Sequence, residues 1–122
     1  MKFFILVFLA ASIAHAEAPV CDQLRAAVKI GKPTERLNRY LIIQWKNWMT
    51  ESPEYATYAG EPGQNDRWTD LSLEAIAARK KENLCELEIL NKISSKELKG
   101  EDKINFDMAK RGIELSIEGQ KF

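Results

Sequence analysis

Histidine is almost absent from this sequence. His15 is the only one, and it lies in the N-terminal stretch that reads as a removable leader. Without an imidazole, the exported chain cannot assemble a Ser-His-Asp or Cys-His arrangement of its own. A His-Glu-x-x-His zinc helix is excluded on the same ground, as are zinc fingers that pair cysteine with histidine. Cysteine is scarce as well. Cys21 and Cys85 are the only two, too few for a four-thiolate zinc site. Charge of one sign is lacking, because 18 Lys and Arg balance 18 Asp and Glu. A nucleic-acid binder carries a basic excess, and none is present. Six Gly and four Pro are too few for disorder or collagen-like material. Neither a Walker loop nor a dinucleotide-binding Gly loop occurs.

One apolar run stands out, Phe3 to Ala14, about 12 residues long. Lys2 precedes it. Ala14-His15-Ala16 follows, with small residues at the −3 and −1 positions of a cleavage site. This is the plan of a secretory signal peptide cleaved after Ala16, so the chain is expected to be secreted or periplasmic. The run is shorter than the roughly 20 residues that a bilayer-spanning helix needs, so no stable membrane span is expected after cleavage. The exported part has about 106 residues, enough for one modest domain. In an oxidising compartment Cys21 and Cys85 either form one bridge or remain two thiols. A bridge would close a loop of about 64 residues and contribute about 4 kcal/mol.

The remaining 45% apolar, 30% charged composition fits a globular fold. Helical periodicity runs through it, and no β-alternation of useful length appears. The expectation is an all-α fold, a small helical bundle or helical hairpin array with one long turn-rich loop. Residues 17–33 form an N-terminal helical or mobile segment, and 34–122 the helical domain. Thr34 is a natural N-cap, with Glu35 in the first turn. Leu37, Leu41, Trp45 and Trp48 then recur at i, i+4, i+8 and i+11, a spacing that predicts core packing. An aromatic binding face is the alternative. Arg36, Arg39, Lys46 and Asn47 are left for solvent.

Ser52-Pro53-Glu54 is a second helix start, and Gly60 its stop. Residues 60–70 are dense in turn formers. They are expected to form a connector pinned by Trp68, or else a ligand-contacting or docking loop. Ser72 caps the next helix. Leu73, Ile76, Leu84, Leu87 and Leu90 give one stripe on it, and Cys85, Ile89 and Ile93 a second line. Arg79-Lys80-Lys81 reads as a solvated face. Ser94-x-x-Glu97 matches a capping box, and Gly100-Glu101-Asp102 begins a last helix. That helix offers two offset lines, Ile104, Met108 and Leu115 against Phe106, Ala109, Ile113 and Ile117. Glu51, Glu54, Glu61, Asp66 and Asp70 cluster near the loop. Acidic residues in such a loop usually serve caps and solubility, and their spacing does not match a calcium loop.

Four stretches together resemble a family. They are Trp45-x-x-Trp48 followed by Glu51-Ser52-Pro53-Glu54-Tyr55-Ala56-Thr57; Gly60-x-Pro62; Asn65-Asp66-Arg67-Trp68-Thr69-Asp70-Leu71-Ser72; and Lys103-Ile104-Asn105-Phe106-Asp107. In order and spacing they resemble the N-terminal region of the secreted bacterial family named domain of unknown function 885. The resemblance covers roughly Leu37 to Phe122. It implies a mostly helical, zinc-peptidase-like protein, several times longer than this chain, whose zinc helix lies far downstream. No catalytic residue, cofactor site or metal ligand carries over to this sequence, and zinc is implied only for the full-length family. The loop Asn65, Asp66, Arg67, Trp68 and Asp70 carries over as a motif position. It is either structural, with Arg67 paired to a carboxylate, or the lining of a cleft completed by later sequence. The functional expectation is a truncated front segment that is not catalytic alone, its partner being the missing C-terminal portion. The alternative is a stand-alone helical binding module acting through an unknown protein partner.

Overall fold

The computed structural model describes residues 19–121. The expected leader and cleavage site lie outside the described residues. Five α-helices and one 3₁₀ turn follow in order, and no strand occurs among the described residues. The all-α expectation holds.

Helix α1 (Val20–Ala27) begins after Pro19 and buries Val20, Leu24 and Ala27, spaced for one face. An eight-residue helix is marginal alone, so its order comes from packing on α2 and α4. Helix α2 (Pro33–Glu51) starts one residue before Thr34. Pro33 suits the first helical position, since its fixed φ is helical and its missing N–H would have no partner there. Lys32 N–H donates to Glu35 Oε2 at 3.1 Å. Thr34 is therefore not the cap, and its hydroxyl donates instead to Asp102 of the last helix at 2.8 Å. Arg36 and Arg39, expected in solvent, close the C-terminus of α1. Arg39 Nε donates to Ala27 O at 2.9 Å and its Nη2 to Ile30 O, while Arg36 Nε donates to Gly31 O at 2.8 Å. Cations satisfy the carbonyls that a helix end leaves without partners.

Helix α3 (Pro53–Ala59) carries Pro at its first position and ends at Gly60 in the left-handed region, φ 80°. Helix α4 (Leu73–Leu90) is capped as expected, with Ala75 N–H donating to Ser72 Oγ at 3.2 Å. Ser94-x-x-Glu97 does not make a capping box. Ser94 precedes only the 3₁₀ turn Ser95–Glu97, and its side chain caps nothing. Helix α5 (Gly100–Gly119) then returns along α4.

A single core joins α1, α2, α4 and α5. Leu24, Leu37, Tyr40, Ile89 and Leu90 are its fully buried members, and Phe106 and Ile113 come from α5. Each large apolar side chain removed from water contributes roughly 1.5–3 kcal/mol. On α4 the line through Cys85, Ile89 and Ile93 is the core, because α1 and α5 dock there. Leu73 and Leu84 of the other stripe face outward. On α5 the Phe106 and Ile113 line is inside, whereas Ile104, Met108 and Leu115 are exposed.

Cys21 and Cys85 are bridged, with Cα atoms 6.2 Å apart, and the bond fastens α1 to α4. Residues 20–27 are helical and pack on α2 and α4. Among the described residues, no helix is long and apolar enough to cross a membrane.

Candidate functional site

Leu37 and Tyr40 of α2 fill the centre of the bundle and Met49 is buried further along, but the face that carries the two tryptophans is only partly covered. Trp45 and Trp48, expected inside, are 39% and 45% exposed. Helical spacing marks a shared face; coverage depends on which helices dock against it. The two indoles stand edge to face with centroids 5.6 Å apart. Trp48 stacks on Tyr55 of α3 at 4.4 Å, and Tyr55 leans toward Tyr58 at 6.1 Å. Four aromatic rings thus form a continuous surface ladder. Such pairs add about 0.5–1.5 kcal/mol beyond burial.

Beside the ladder, α2, α4 and α5 splay apart and leave a groove of about 730 Å³. From α2 it is lined by Leu41, Gln44, Trp45 and Trp48; from α4 by Arg79, Glu82 and Glu86; from α5 by Met108, Gly112 and Ile113. Polar links brace α2 against α4. Tyr40 Oη donates to the Glu86 carbonyl at 2.9 Å, and Gln44 Nε2 to Glu86 Oε2 at 3.2 Å. Arg79 pairs with Glu51 at 3.4 Å, and its Nη2 donates to Asp70 O at 2.7 Å. The basic run is therefore only partly a solvated face. Lys80 and Lys81 are exposed, but Arg79 is a brace.

The groove is acidic. Glu51, Glu82 and Glu86 face a single guanidinium, that of Arg79. Glu86 is 7% exposed. Burial pushes its carboxyl above the usual range, the Gln44 bond opposes this, and the charge of Glu82 adds to the rise. Burial also raises Glu82, against a hydrogen bond from Asn47 and the pull of Arg79. Tyr40 is raised as well, by burial first and by the Glu86 charge second.

A second recess of about 380 Å³ lies between α1, α2 and the loop after α3. Trp45 lines both recesses. Its Nε1–H donates to Glu61 Oε1 at 3.1 Å, which ties the loop to α2.

The loop is held, though not by Trp68, which is 83% exposed and pins nothing. Glu54 of α3 holds it instead. Thr69 N–H and Oγ1 donate to the Glu54 carboxylate at 3.0 and 2.5 Å, bonds that lower the Glu54 pKa. Thr57 Oγ1 donates to Asn65 Oδ1 at 2.9 Å. Arg67 meets no carboxylate. It donates to Thr50 O at 3.3 Å and to Gln64 Oε1. Asp70 accepts from Ser72 N–H at 2.8 Å, a turn bond at the mouth of α4 that lowers its pKa. Asp66 is exposed. Asn65, Asp66, Arg67, Trp68 and Asp70 line neither recess.

Sequence reasoning missed Gln44, Glu82 and Glu86. A signal existed. Glu82 and Glu86 extend the buried line of Leu90 and Ile93 upstream at helical spacing, so carboxylates stand where apolar residues belong. Among the described residues, no three His, Cys, Asp or Glu side chains are grouped to hold a metal ion. Comparison with protein-family models, with curated proteins and with solved structures finds no match.

Proposed function

We propose that this chain is a non-catalytic helical binding module that receives a segment of a partner protein in the groove between α2, α4 and α5. The observation that carries the reading is the groove itself. It has the size of a ligand site, roughly 300–1,000 Å³, and it is walled by half-exposed Trp45 and Trp48. Tryptophan and methionine are enriched where proteins meet. Exposed Met108 forms the facing wall. The proposal includes export through the leader at residues 1–16. The bridge between Cys21 and Cys85 supports it, because such bonds persist in oxidising compartments.

The test is selection of random dodecapeptides on the mature, disulfide-bonded chain. Selected peptides are expected to lose binding to Trp48→Ala and Met108→Glu variants whose helicity is intact. Peptides that bind both variants as well as the parent would place recognition elsewhere and end the proposal.

A second reading has its own support. Ile104, Met108 and Leu115 expose an apolar face on α5, 58%, 68% and 49% accessible. In the front segment of a longer zinc-peptidase-like protein, the missing C-terminal portion would cover that face. Genomic sequence downstream of this coding region that encodes no continued family sequence and no zinc helix would remove this reading.

A further inference from the structure

We infer that the groove takes a basic side chain of the partner segment, arginine or lysine, whose head pairs with Glu86 and Glu82 while its stem lies against Trp48 and Met108. The inference rests on the binding-module reading and names the chemistry of the occupant. It begins with Glu86. Carboxylates are almost never this buried without a counter-charge, because lost hydration has to be offset. Glu86 has Gln44 as a hydrogen-bond donor, and its own carbonyl takes Tyr40. Yet among the described residues no Lys or Arg nitrogen forms an ion pair with Glu86 or Glu82. Arg79 is near enough to Glu82 to lower its pKa, but its guanidinium binds Glu51 and the Asp70 carbonyl.

The walls agree. From α2 the charged group facing the site is Glu51, beside neutral Gln44 and Asn47. From α4 come Arg79, Glu82 and Glu86. The α5 wall is uncharged, with Asn105, Met108, Gly112 and Ser116. An entering cation meets two carboxylates that have hydrogen bonds but no ion pair within 4 Å among the described residues, and no competing cation on α5. It would relieve both the repulsion between Glu82 and Glu86 and the burial cost of Glu86. Trp48 and Met108 offer apolar surface for the methylenes. Phosphate-bearing partners would be repelled. A single basic side chain occupies a small part of 730 Å³, so its apolar neighbours in a polypeptide fill the rest.

Two synthetic peptides separate the possibilities, Ac-Leu-Arg-Leu-Leu-NH2 and its isostere with uncharged citrulline for arginine. Binding to the mature, ¹⁵N-labelled protein is read from the three indole N–H resonances. The arginine peptide is expected to shift Trp45 and Trp48 and to leave Trp68 in place. It should bind at least about fivefold more tightly than the citrulline peptide. Glu86→Gln keeps the acceptor for Gln44, and both it and Glu82→Gln should abolish that preference. Affinity for the arginine peptide should fall as pH is lowered and the two carboxyls protonate. Equal affinity of the two peptides, or an arginine preference that survives both substitutions, overturns the inference while leaving groove binding standing. Indoles unmoved by either peptide would sink the binding-module reading with it. Spermidine shifting the indoles as strongly as the arginine peptide would assign the site to a free polyamine and overturn the polypeptide occupant.

Discussion

Opening the bridge between Cys21 and Cys85 should lower stability by about 4 kcal/mol. The bond spans 64 residues of sequence. Loop-closure entropy of −2.1 − 1.5R ln n, with n near that span, gives about 14 cal/mol/K, or about 4 kcal/mol at room temperature. Domains of this size hold roughly 5–15 kcal/mol in total, so the loss is a large share. It acts mainly on the unfolded chain. Val20, Leu24 and Ala27 are buried by packing on α2 and α4, so α1 is expected to stay docked after reduction. The assay is urea unfolding followed by circular dichroism at 222 nm, on the oxidised protein and on a Cys21→Ala/Cys85→Ala variant. With a slope of about 1.3 kcal/mol per molar urea, the midpoint should drop by about 3 M. Reductant should move the parent to the position of the variant and leave the variant unmoved. A midpoint difference worth less than about 1 kcal/mol would refute the entropic reasoning.

Two further perturbations test the groove. Glu82 and Glu86 have raised pKa values in the fold, so their favourable contribution is complete below the ordinary carboxyl range and disappears as pH rises through the raised values. Stability should therefore decline as pH rises above the ordinary carboxyl range, and Glu86→Gln should flatten the decline; a parallel slope in the variant would refute the assignment. Glu54 and Asp70 act in the opposite sense, with lowered values that add stability above the ordinary range and lose it in acid. Gly112 sits inside α5 with nothing within 4 Å of an added Cβ. Gly112→Ala should stabilise by about 1 kcal/mol in the same urea assay, and a destabilised variant would show the site is tighter than described.

Local chemistry was legible in the sequence wherever one segment decides the outcome. Ser72 caps α4, Pro53 starts α3 and Gly60 ends it, because each acts on its own backbone. Legibility failed where two segments must meet. Several stripes on α2, α4 and α5 have helical spacing, and only the docking of α1 and α5 decides which are covered. Leu37 and Tyr40 went inside, while Trp45, Trp48, Leu84 and Met108 stayed outside. Arg36 and Arg39 read as solvent residues because the carbonyls they cap belong to α1 and the turn after it. The cysteines gave two alternatives, which their 6.2 Å Cα separation decides. In the candidate loop, Arg67 bonds Thr50 O and Gln64 rather than a carboxylate, and Trp68 is exposed, so neither contact is set by the local sequence. Glu54, read as a first-turn residue, is the anchor, because its carboxylate reaches Thr69 across the loop.

The indole of Trp45 serves as a party wall between two rooms. One side of it borders the acidic groove, and its N–H is bonded to Glu61, which lines the chamber behind. Asn47 stands in the same wall, so a substitution at either residue changes the lining of both chambers at once.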